Sequence, residues 1–154
     1  MIGTLSPESI FSFSSSIVML GWVVLLISPL IPIWSNRIAG VAIPIALSLI
    51  YCVLILVFWS GSVGGFDTLA NVKLLFTQDE LLLAGWVHYL AFDLFIGAWI
   101  VRTARAEGIS FWFVLPCLPA TFLFGPIGYL LFKFIQFSLI KSKSSKTQHI
   151  QGVA

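Results

Sequence analysis

Charge is what this chain has least of. Eight lysines and arginines and six aspartates and glutamates make up 9% of 154 residues. A soluble domain could not cover its surface from a composition that is 59% hydrophobic, with mean hydropathy +1.06. No lysine or arginine precedes Arg37. The basic start of a secretory signal and the arginine-rich leader of an organelle precursor are both missing, so the first apolar segment reads as a retained anchor and a bacterial inner membrane is favoured. Cysteine is scarce as well. Cys52 and Cys117 lie in apolar runs without a metal-ligand pattern, which suits small packing residues. With only His88 and His149 as histidines and no paired carboxylates at ligand spacing, no metal site is expected. There is no glycine-rich phosphate loop, no nucleophile elbow and no basic patch for nucleic acid, so no cofactor is implied. The polar–apolar alternation of a membrane barrel is also absent.

What remains is four apolar runs of spanning length, about Phe11–Ile33, Ile38–Trp59, Leu81–Val101 and Phe111–Phe134. Backbone groups in lipid must be satisfied internally, so these runs are expected to be helices. The fold class is therefore all-α, a polytopic membrane protein of four transmembrane helices in one domain over residues 1–140. A polar, basic, flexible C-terminal tail is expected over 141–154, able to meet anionic headgroups. Pro29 and Pro32 should end the first helix, and Pro44 should bend the second. Between the second and third spans, Leu69, Val72, Leu75 and Phe76 share a helical face, and a short interfacial helix is expected there. Pro116, Pro119 and Pro126, with Gly125 and Gly128, should make the fourth span irregular. An even number of spans puts both termini on one face, and the weak lysine and arginine bias favours the inside.

The third run carries the chemistry. Asp93 sits near its middle and His88 roughly two turns in from Asp79-Glu80. An ionised carboxylate at the bilayer midplane costs about 2.5–3.5 kcal/mol on insertion scales, so Asp93 needs a partner or a task. It is expected to face the bundle interior. Carbonyls near Pro116, Pro119 or Pro126, or the side chains of Asn36, Arg37 or Ser48, would be its partners. Its role is either acid/base work or a structural hydrogen bond between helices. His88 is either a base or proton relay, or a polar cap. The two point roughly 140° apart on the helix, so the spacing does not make them a dyad. One stripe holds Trp86, Tyr89, Asp93 and Gly97. The other holds His88, Phe92, Phe95, Trp99 and Arg102. Trp86 and Tyr89 suit an interfacial aromatic belt as well as a binding wall, and Arg102 suits snorkelling to headgroups.

The stretch Trp86-Val87-His88-Tyr89-Leu90-Ala91-Phe92-Asp93-Leu94-Phe95-Ile96-Gly97 resembles the signature of a small integral-membrane family named after a plant abscisic-acid-deficiency protein. Trp99-Ile100-Val101-Arg102, Pro116-Cys117-Leu118, Phe124-Gly125-Pro126-Ile127-Gly128-Tyr129-Leu130-Leu131 and Gly64-Gly65-Phe66-Asp67-Thr68-Leu69 fit it in the same way. The plant member is associated with neoxanthin synthesis. The resemblance implies a carotenoid (xanthophyll) or other apolar isoprenoid substrate and a redox-neutral isomerisation of an epoxide to an allenic alcohol, without a cofactor. Asp93 would be the acid and His88 the base or relay, with Trp86, Tyr89, Phe92, Trp99 and Arg102 binding substrate. A cavity open to the membrane is expected beside the third and fourth helices, with Asp93 and Trp86 in its wall. The non-catalytic alternative is a pigment- or lipid-binding protein or assembly subunit, and four spans with one midplane carboxylate would need an oligomer to form a channel.

Overall fold

Ser6 opens the first helix. Its hydroxyl accepts from the Ser9 N–H at 3.3 Å, and Pro7 fills the first helical position, where no N–H is missed. In the computed structural model, residues 6–151 are described, with side chains described to residue 139. α1 (Pro7–Leu26) ends ahead of Pro29, as the sequence leads one to expect. α2 (Pro32–Arg37), a π-helical turn (Ile38–Ala42) and α3 (Ile43–Phe58) then run end to end. The π turn lies directly before Pro44, whose missing N–H releases a helical bond; the proline loosens the helix rather than ending it.

The connection holds α4 (Leu69–Leu75), capped by the Thr68 hydroxyl on the Asn71 N–H at 3.2 Å. The expected apolar face is only partly used. Leu75 is buried, while Leu69 points outward. α5 (Asp79–Ala106) is the central helix, 28 residues and about 42 Å long. Val87, Leu94 and Ile100 on it are fully enclosed. It crosses α1 where both are small: a methyl on Gly97 would meet the Trp22 ring at 2.8 Å, and one on Gly21 would meet Leu94 at 2.7 Å. Three helical stretches are long and apolar enough to cross a membrane: Pro7–Leu26, Pro32–Gly61 and Asp79–Ala106.

The fourth apolar run departs from the expected span over Phe111–Phe134. It folds as α6 (Phe111–Val114), α7 (Cys117–Phe124) and the start of α8 (Pro126–Gln151). The chain reverses at Gly125, at φ 33° and ψ −82°. Gly128 then lies against the Thr121 backbone, so close that a side chain could not fit. α7 runs back along α5 as far as Tyr89, and α8 returns until the Gln136 amide donates to the Glu107 carboxylate at 2.6 Å. The hairpin thus goes halfway in and comes out at the end it entered. The described ends of the chain therefore lie at opposite ends of α5. Pro7 stands by Asp79 at one end of α5, and Gln136 stands by Glu107 at the other. The tail expected over 141–154 lies outside the described side chains, and residues 152–154 lie outside the described residues.

Candidate functional site

Asp93 occupies the middle of α5 and is 6% exposed. The tip of the α7–α8 hairpin rests on it: a Cβ placed on Gly125 would fall on the Asp93 carboxylate. Asp93 Oδ2 has no hydrogen-bond partner among the described residues. The carboxyl is interior, as its insertion cost requires, but the partners expected for it go elsewhere. Pro126 has no N–H, so the Phe122 carbonyl four residues earlier lacks its helical donor. The Tyr89 hydroxyl fills that role, donating toward Phe122 O at 3.1 Å and Leu123 O at 3.0 Å. Asn36 accepts instead from Arg102, at 2.9 Å. Tyr89 lies one helical turn before Asp93 on the same face, and its hydroxyl is the polar side-chain group beside that carboxyl.

Trp86 stacks on Tyr89, with ring centroids 5.5 Å apart, and its indole N–H donates to the Ser15 hydroxyl on α1 at 3.2 Å. Together they wall a recess of about 340 Å³ with Met19 and Phe122. Asp93 is not in that wall, which corrects the expected cavity on this point. Two further recesses join it. One of about 300 Å³ shares Met19 and Phe122 and reaches Leu26 and Leu115. The other, of about 330 Å³, shares Trp86 and reaches Glu8 and Asp79. The three follow one another as an open, apolar groove beside α1, whose 20 residues span about 30 Å.

The remaining residues singled out in the sequence do not join this group. His88 stacks on Phe92 at 4.6 Å and packs against Tyr51 of α3 at 5.4 Å, on the other flank of α5. Trp99 packs against Phe132 at 5.7 Å and Tyr129 at 5.6 Å of α8, and the Lys133 ammonium lies 5.0 Å from its ring centre. Arg102, expected to snorkel, instead donates to Asn36, and Lys133 donates to Gln136 at 2.9 Å. Ser15 and Phe122 were not legible as site residues, since nothing in their own neighbourhoods marks them. The Gly125-Pro126-x-Gly128 pattern was the available signal for the tip, because it joins a missing donor to two positions without a side chain.

The profile of a family described as ABA DEFICIENT 4-like matches residues 9–132. The chain belongs to that family. The match takes in all three long helices and the hairpin tip, and it bears out the resemblance carried by the Trp86–Gly97 stretch. The family's association with neoxanthin synthesis supports a membrane role connected with carotenoids. No curated protein and no solved structure matches the chain.

Proposed function

We propose that this ABA DEFICIENT 4-like protein holds a xanthophyll or related long isoprenoid along the groove beside α1 and isomerises it without net oxidation or reduction. The observation that carries the reading is a buried carboxyl, Asp93, placed directly behind a groove that is apolar, aromatic and open to lipid. The three long helices cross the bilayer, and the α6–α8 segment enters it as a re-entrant hairpin, buried in protein at its irregular tip. An apolar substrate would arrive sideways from the bilayer and lie against Trp22, Phe122, Tyr89 and Trp86.

The proton balance needs one group only. Asp93 in its acid form gives its proton to the epoxide oxygen as the carbon–oxygen bond breaks. The carboxylate then takes a proton from the adjacent chain carbon, whose electrons form the second double bond of the allene. Asp93 ends as it began, so the reaction consumes no co-reactant. Tyr89 both lines the groove and neighbours Asp93, which makes it the group that must move for substrate to reach the acid. His88, on the other flank, has no part in this scheme. Sealing of the carboxyl favours a second reading, a pigment-binding protein in which Asp93 only seats the hairpin.

Purified protein in nanodiscs, given an epoxy-xanthophyll, decides between them. Product is read by chromatography and its absorption spectrum. Asp93→Asn is expected to retain pigment and lose turnover. Full activity in that variant removes Asp93 as the acid, and bound pigment without turnover in the parent protein favours the binding reading.

A further inference from the structure

α5 has a second, smaller recess on its opposite flank, and it shares no wall residue with the groove beside α1. It lies near the Asp79 end and encloses about 250 Å³, at the small end for a ligand pocket. Tyr51, Trp59, Phe66, Phe76 and the His88 imidazole line it. Trp59 and Phe66 stack with centroids 5.4 Å apart. His88 is held in place by Phe92 and Tyr51, and its exposed imidazole opens onto the recess. A neutral imidazole offers one donor and one acceptor.

The loop that carries Phe66 is fastened to its surroundings. Gln78 donates to Val63 O at 3.0 Å, and Asn71 donates to Asp67 at 2.9 Å. Gly64, at φ 101°, lets the loop lie directly on the α4 backbone, where a Cβ would collide with Asn71 O. A pocket held open in this way loses little freedom on binding.

We propose that this recess binds one methyl-substituted six-membered carbon ring bearing an oxygen, the terminal ring of a lipid-soluble molecule, with His88 hydrogen-bonded to that oxygen. The volume admits a single ring and not a long chain. The aromatic walls suit its faces. The imidazole supplies a polar contact between the Tyr51 and Phe92 rings, and the open side of the recess lets a chain attached to the ring trail outward. The assignment does not rest on the role of Asp93. Two sources share this chemistry, isoprenoid ring ends and quinones.

The test uses the full chain in nanodiscs and reads displacement of prebound duroquinone, which quenches Trp59 fluorescence, the Trp59 signal being identified by its loss in Trp59→Phe. The probes are isophorone, the ring hydrocarbon 1,5,5-trimethylcyclohexene and duroquinone. Isophorone is expected to bind about five- to tenfold more tightly than the hydrocarbon, the effect of one hydrogen bond. His88→Phe keeps the aromatic shape and should abolish that preference while leaving hydrocarbon binding in place. Ile55→Trp should fill the recess and weaken both. Asp93→Asn should bind all probes as the parent does. Isophorone favoured over duroquinone assigns the site to isoprenoid ring ends, and the reverse assigns it to quinones. Equal affinity for ketone and hydrocarbon, or an unchanged preference in His88→Phe, overturns the proposal.

Discussion

Replacing Gly125 with alanine separates the two demands made on the hairpin tip. At φ 33° and ψ −82°, an L residue sits in sparsely allowed backbone space, at a cost of about 1–3 kcal/mol. The new methyl also falls on the Asp93 carboxylate, which adds overpacking of about 1 kcal/mol or more. Gly125→Ala should therefore destabilise the protein by about 2–4 kcal/mol. In an Asp93→Ala background the steric part disappears and only the backbone part remains. The two substitutions should couple by about 1 kcal/mol. Asp93→Ala alone removes a buried oxygen without a partner, a relief of about 1–3 kcal/mol set against lost packing. Unfolding in mixed micelles with increasing sodium dodecyl sulfate, followed by helical circular dichroism, measures all four corners. Strict additivity would refute the contact between tip and carboxyl, and a Gly125→Ala protein as stable as its parent would refute the reversal itself.

With Cys52 and Cys117 replaced, single cysteines at Ser6 and Ser138 should react with an impermeant maleimide from opposite faces of oriented vesicles; reaction from one face would restore an even number of crossings. The Asp67 carboxyl is held below its usual 3.8, first by the Asn71 amide and then by backbone N–H groups. A lowered folded-state value contributes stability above the usual carboxylate range that is lost as pH falls through the folded value. Asn71→Ala should raise the Asp67 midpoint in a carbon-13 titration and change stability only at pH above that range; an unmoved midpoint would sink the assignment.

The helical class, the three long helices and the interior placement of Asp93 were legible because hydropathy and the cost of a carboxylate in lipid are local properties of the chain. The opposed directions of His88 and Asp93 followed from helical pitch. The hairpin was not legible. Phe111–Phe134 has the length and apolarity of a span, and the two glycines and Pro126 say where the helix fails, not which way the chain leaves. Which group would take the freed carbonyls was equally hidden. Tyr89 and Asp93 are both within one turn of the tip, and only the packed geometry assigns the carbonyls to the phenol. The groove was foreseen in kind but not in extent, since its far wall is α1, whose residues carry no mark of their own.

Because the last helical pair turns back at Gly125, the two ends of the bundle differ in sign. Arg37, Arg102, Arg105 and Lys133 gather with Glu107 where the hairpin enters and leaves, while Glu8, Asp67, Asp79 and Glu80 gather at the other end with Lys73 as the one cation there among the described side chains. By the positive-inside rule the arginine end would stay on the side of synthesis. Only the start of α1 and the α3–α5 connection would then have to be carried across. An inside-negative potential favours this orientation twice over, by drawing the acidic segments outward and by retaining the basic ones, at about 2.3 kcal/mol per charge per 100 mV. A hairpin that returns to the end it entered would leave Lys133 on the arginine side.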